Sequence, residues 1–203
     1  TGDHKAVNKM HQMSFLIYNL VIFPIIAGML IVNDDFVQFF LGQDFQDAKY
    51  AIAIMIFRMF FIGWTNIMGI QILIPHNKNK EFMISTTIPA IVSVGLNLLL
   101  LPKLGYIGAA IVSVLTEALV WAIQLYFTRN YLKEVPLLAS TVKIIGASAL
   151  MYGVLFVVKT TVNFTPVINV MVFAIIGAIL YISQILFLKV ISPEELKQQL
   201  LNK

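Results

Sequence analysis

The 203-residue sequence has no cysteine, which excludes disulfides, thiolate metal sites and a cysteine nucleophile. Charge is scarce as well. Fourteen basic and 10 acidic residues make up 12% of the chain, about half the share of an average soluble domain. So few charged side chains cannot coat a globule of 22.8 kDa. The three histidines, His4, His11 and His76, show no metal-ligand spacing. No HExxH, GxSxG or phosphate-loop pattern occurs. No catalytic residue, metal or cofactor is therefore expected. The net charge of +4 does not point to a nucleic-acid partner, because the placement of Lys and Arg follows membrane topology. No signal-peptide pattern is present. The chain opens on Thr1 with a polar dozen residues, and we read it as a piece of a longer protein.

What the chain has is apolar length. Hydrophobic residues are 59% of it, the mean hydropathy is +0.87, and several apolar runs reach the roughly 20 residues that cross a bilayer core as a helix. Six such spans are predicted, at 14–32, 51–74, 82–101, 107–127, 137–158 and 167–188. Pro24 and Pro89 fall inside spans, which membrane helices tolerate as kinks. The fold class is thus all-α and polytopic, with short connections and antiparallel neighbours. Ten lysines and arginines fall on one side of these spans, among them Lys78, Lys80, Arg129, Lys133 and Lys143. Only Lys49, Lys103 and Lys159 fall on the other. The positive-inside rule then puts both ends of the chain in the cytoplasm, and an even number of crossings agrees.

Two segments lie outside the spans. Residues 33–49 carry Asp34, Asp35, Asp44 and Asp47 among Phe36, Phe39, Phe40 and Phe45. Asn33 or Asp34 capping a short helix and Gly42 ending it would give an interfacial helix on the outer surface. Ser192, Pro193 and Glu195 form a capping box, which predicts a short cytoplasmic helix over 191–203. The expected organisation is a cytoplasmic segment at 1–13, a four-helix unit at 14–133, a terminal helix pair at 134–190 and the tail.

Polar residues inside the spans carry the functional signal, because a charge at bilayer depth costs about 2.5–3.5 kcal/mol on insertion scales. Arg58 lies about 11 Å below the outer end of the second span and Glu117 about 16 Å below that of the fourth, by helical rise. At 100° per residue Arg58, Thr65 and Gly69 share a stripe, with Asn66 on its shoulder. Thr86, Ala90, Ser93 and Asn97 form another, and Gly105, Ala109, Ser113, Glu117 and Gln124 a third. Small residues at four-residue spacing also serve plain helix packing, and Arg58 with Glu117 also fits a structural ion pair. As pathway residues, Arg58, Thr65, Asn66, Asn97 and Gln124 would line a route for a substrate. A guanidinium binds phosphate oxygens in a fork, so Arg58 favours an anionic head group. Glu117 is the intramembrane carboxylate and the candidate for ion coupling. Asp34 and Asp35 leave a membrane glycosyltransferase or polymerase open as a further reading.

The run from Asn97 through Pro102, Lys103, Gly105, Tyr106, Gly108, Ala109 and Ala110, followed by Thr116 and Glu117, resembles the C-terminal half of polysaccharide-biosynthesis flippases. These are the O-antigen (Wzx-type) transporters of the multidrug/oligosaccharidyl-lipid/polysaccharide exporter superfamily. Gln71 to Pro75 with the basic loop behind it, and Phe39 to Gly42 with Phe45, fit the same pattern. The resemblance covers about 14–133. It implies a MATE-like fold of fourteen helices, of which this chain supplies the last six, and a missing N-terminal bundle as its partner. It also implies a polyprenyl-diphosphate-linked oligosaccharide as the cargo, moved between the leaflets of a bacterial plasma membrane. A cation-coupled drug or metabolite exporter of the same fold is the alternative.

Overall fold

The computed structural model describes residues 2–133, 135–162 and 164–188, and these are helices joined by short turns, with no strand among them. α1 runs Gly2–Phe40, α2 Ala48–Met55, α3 Arg58–Asn66, α4 Asn79–Leu132, α5 Leu137–Thr161 and α6 Pro166–Phe187. A single 3-10 turn at Gln43–Phe45 separates α1 from α2, and α3 passes directly into a π-helix at Ile67–Leu73. Five helical stretches are long and apolar enough to cross a membrane, with Ala48–Leu73 counting as one. The chain is an all-α, polytopic membrane protein. The expected tail helix at 191–203 lies outside the described residues.

The longest stretch makes two crossings. A straight helix of 54 residues would measure about 81 Å, far more than a bilayer. α4 is instead broken at Gly105, whose φ of 55° and ψ of −138° suit a residue without a Cβ. Pro102, just before, has no N–H to continue the ladder. The halves fold back on each other, because the Gln124 amide donates to the Ser85 hydroxyl at 3.2 Å. Those residues would stand about 58 Å apart on a straight helix. The midpoint of their numbers falls at the Gly105 turn. The predicted spans at 82–101 and 107–127 are therefore the two arms of one hairpin, and the described residues make six crossings.

A proline also shapes the end of the second crossing. Pro75 lacks the N–H that would reach the carbonyl of Gln71, and its ring crowds that carbonyl. The backbone relaxes into the wider π spacing, with the amide of Ile74 bonding Gly69 O at 3.1 Å. The released Gln71 oxygen lies 3.3 Å from His11 Nε2, which joins α1 to the π-helix at one end of the bundle. At this end His76 also packs on Tyr131, with ring centroids 4.2 Å apart.

α1 is the central helix. One face packs on α5 and α6 through Ala27, Ile31, Ile144, Met151, Leu155 and Phe173. The other meets α3 and the second arm of α4 through Phe15, Trp64, Met68 and Trp121. Buried Asn19 bridges the two sides. It accepts from Trp64 Nε1 at 2.9 Å and donates to Thr141 Oγ1 at 3.0 Å.

The expected interfacial helix at 33–49 is corrected by the structure. α1 continues unbroken through Asn33, Asp34 and Asp35 to Phe40, and Gly42, at a φ of 86°, ends it. Asn33 does not cap a helix. It donates to the Lys49 carbonyl at 2.8 Å and so ties down the returning chain. Asp35 is only 8% exposed and needs a counter-charge. It pairs with Lys159 of α5 at 2.8 Å and accepts from Asn169 of α6 at 2.8 Å. Lys159 also donates to the Ile31 carbonyl at 2.5 Å. Three helices thus meet on one carboxylate. Replacing Lys159 with Met in the intact protein strands that charge, and loss of one partner of a buried pair costs about 3 kcal/mol. Thermal unfolding in detergent should show a clear drop for K159M and a smaller one for the double variant D35N/K159M. Equal melting of wild type and K159M would remove the pair from the stability of the bundle.

Candidate functional site

The three polar stripes converge. α3, its π extension and both arms of α4 enclose a cleft of about 450 Å³, lined by Arg58, Ile62, Thr65, Asn66, Ile70, Phe82, Thr86, Ala90, Thr116, Glu117, Val120 and Gln124. Each helix contributes the face on which its polar residues recur. The hairpin at Gly105 sets Thr86 and Ala90 opposite Thr116 and Glu117, and α3 closes the third side with Arg58 at its first turn.

Arg58 and Glu117 form an ion pair. Nη2 donates to Glu117 Oε1 at 2.8 Å and Nε donates to the same oxygen at 3.3 Å. Both bonds fall on one oxygen, so Arg Nη1 and Glu Oε2 are without a protein partner among the described residues. The pair is not sealed: the side chains are 38% and 19% exposed, and the cleft opens beside them. These are the only charged residues of the lining, so the empty cleft carries no net charge. An entering anion can compete with the carboxylate for the guanidinium fork, and an entering cation can compete for the carboxylate.

The neutral polar groups are held on their own helices. Thr65 and Asn66 both donate to Ile62 O, at 3.0 and 2.9 Å. Thr116 donates to Val112 O at 2.7 Å and Thr86 to Met83 O at 3.0 Å. Back-bonding of this kind uses the hydroxyl proton and leaves the oxygen as an acceptor toward the cleft. Gln124 is 1% exposed and bonds Ser85 across the hairpin, while its Oε1 has no hydrogen-bond partner.

Of the six residues expected to line a pathway or couple an ion, Arg58, Thr65, Asn66, Gln124 and Glu117 meet at this cleft. Asn97 does not. It lies nearer the turn and outside the lining, with its amide donating to Ser93 O at 2.9 Å. Phe82 and Ile62 escaped the sequence reading because apolar residues in a hydrophobic helix give no sign of which side they face. Among the described residues no group of three or more His, Asp or Glu side chains gathers to hold a metal ion.

Comparison with known proteins places this geometry in context. The chain is similar to a protein of Escherichia coli strain K12 named as an O-antigen transporter, with 28% identity over 130 residues, 62% of this chain and 31% of that protein. It is also similar to a protein of Haloferax volcanii named as the low-salt glycan biosynthesis flippase Agl15, with 24% identity over 189 residues, 86% of this chain and 38% of that protein. The chain spans about a third of the length of the curated relatives it matches. No protein-family model matches it, and no solved structure matches it significantly. Both names come from glycan export and neither is that of an enzyme, which bears out the resemblance read from residues 97–117.

Water access to the cleft is directly testable, because this chain has no cysteine of its own. In the full-length protein with any other cysteines removed, single cysteines at Asn66, Thr86 or Thr116 should react with a small hydrophilic thiol reagent. Cysteines at the apolar, exposed positions Ile91 and Leu98 should stay unlabelled in the membrane. Equal labelling of both sets would contradict a wet cleft.

Proposed function

We propose that this chain is the C-terminal part of a flippase that carries a polyprenyl-diphosphate-linked oligosaccharide from the inner to the outer leaflet of a bacterial plasma membrane. Both ends of the segment lie in the cytoplasm, and the missing N-terminal bundle supplies the opposing wall of the pathway. The observation that carries this reading is the half-exposed Arg58 at the mouth of a polar cleft inside an apolar bundle. The names of the two relatives support it.

An unpaired diphosphate loses its hydration in hydrocarbon at a cost of many kcal/mol. Arg58 offers it two N–H groups in place of water, and Thr65, Asn66, Thr86 and Thr116 offer polar wall. Glu117 keeps the arginine neutralised while the cleft is empty and gives it up to the stronger anion. The lipid tail need not enter the cleft, because the surrounding bundle surface is already apolar. Glu117, once released from Arg58, is the candidate for coupling to an ion gradient.

That same carboxylate favours one second reading, a cation-coupled drug or metabolite exporter. The glycosyltransferase reading is withdrawn, because neither relative is named as an enzyme and Asp35 is held by Lys159 and Asn169.

Charge-assisted hydrogen bonds contribute about 1.5–3 kcal/mol, so R58A in the full-length protein should slow export of the lipid-linked glycan about tenfold or more at unchanged protein level. R58K, which keeps charge but not the fork, should fall between. Surface polysaccharide measured in a deletion strain carrying each variant checks this. Normal polysaccharide with R58A, together with lost resistance to cationic dyes, would favour the exporter.

A further inference from the structure

We infer that a crevice between α5 and α6 binds an anionic glycerophospholipid whose head group carries a hydroxyl, of the phosphatidylglycerol kind. The crevice measures about 650 Å³ and is lined by Lys143, Gly146 and Leu150 of α5 and by Ser183, Gln184 and Phe187 of α6. It is formed by a different pair of helices from the Arg58 cleft.

The polarity of the crevice runs the way a lipid does. Gly177 faces Met151 and Leu155, and this antiparallel register sets Lys143 level with the end of α6 near Phe187. Leu150 lies about 10 Å deeper by helical rise. The ammonium therefore stands at the membrane rim, where a lysine stem lies along apolar surface and its head reaches the phosphate layer. Apolar wall continues inward from it. Lys143 makes no ion pair among the described residues, in contrast to Lys49, Lys78 and Lys159. Among the described residues it is a cation at phosphate depth without an ion-pair partner. Basic pockets between membrane helices hold lipid phosphates on this principle.

Gln184 narrows the choice of head group. Its Oε1 is buried and has no hydrogen-bond partner, and a carbonyl oxygen needs a donor. The neighbouring Ser183 hydroxyl already donates to Leu180 O at 2.7 Å. A phosphodiester head group bearing a hydroxyl satisfies both sites, with its phosphate on Lys143 and its O–H donated to Gln184. A choline head group supplies no donor, and phosphatidic acid has no alcohol hydroxyl standing beyond its phosphate to reach Gln184 while the phosphate sits on Lys143.

Native mass spectrometry of the full-length protein, released from detergent with equimolar lipids, tests this. Phosphatidylglycerol adducts should exceed phosphatidylcholine adducts about fivefold, the effect of one lysine at an anionic surface. K143Q should abolish that excess, and K143R should keep it. Q184L should lower phosphatidylglycerol binding to the level of phosphatidic acid. A Cβ at Gly146 would meet open space, so G146L fills the crevice without a clash and should displace the lipid with Lys143 intact and the melting temperature unchanged. Phosphatidylglycerol adducts that persist in both K143Q and G146L would overturn the proposal. So would an equal loss on replacing the distant Lys103 with Gln.

Discussion

A guanidinium held among apolar helices has to be neutralised without being locked away, and much of this structure is arranged around that requirement. Arg58 cannot lose its proton, so its charge must be met by another group. Glu117 meets it through a single oxygen at the edge of an open cleft. Had both carboxylate oxygens and the whole guanidinium fork been used in a dry interface, the pair would be worth keeping only as a packing element. The partial, solvent-reachable geometry allows a competing anion to be exchanged for the carboxylate.

The contrast with Asp35 makes the point within one molecule. Asp35 and Lys159 are also an ion pair between helices, but the carboxylate takes a second bond from Asn169 and the ammonium a carbonyl from Ile31. The carboxylate is buried where three helices meet, and none of the three residues lines the Arg58 cleft. The two pairs differ in the number of bonds each group has left over. The Asp35 cluster fastens α5 and α6 to α1. The Arg58 pair, on the other side of α1, keeps bonding capacity to spare. Asn19 ties the two sides together through Trp64 and Thr141.

The positions of the crossings were readable from apolar length, but the break at Gly105 was not, because its place in the Gly105, Ala109, Ser113 and Glu117 spacing reads as one more helical position. The polar stripes were readable too, since a 100° step puts Arg58 and Thr65, or Glu117 and Gln124, on one side whatever their neighbours are. What could not be read was how far each stripe stays open. Asn97 continues the same face as Thr86, yet the cleft ends before it and its amide bonds Ser93 on its own helix. The run Asn33-Asp34-Asp35 looks like a helix start because these residues favour caps. The groups that keep it helical, Lys159 and Asn169, lie more than a hundred residues away and give no local trace. The π segment was hidden in the same way: Pro75 was visible as a terminator, but the use of the freed Gln71 carbonyl depends on His11 reaching it from another helix.

The exchange at Arg58 is tested most directly by binding a short-chain, water-soluble polyprenyl diphosphate to the purified full-length protein and comparing wild type with R58Q and E117Q. If the arginine is shared between carboxylate and cargo, R58Q binds the diphosphate more weakly than wild type. E117Q, with the fork released, binds it more tightly. If the pair is only a structural tie, the two variants change together or not at all, and that result would contradict the account.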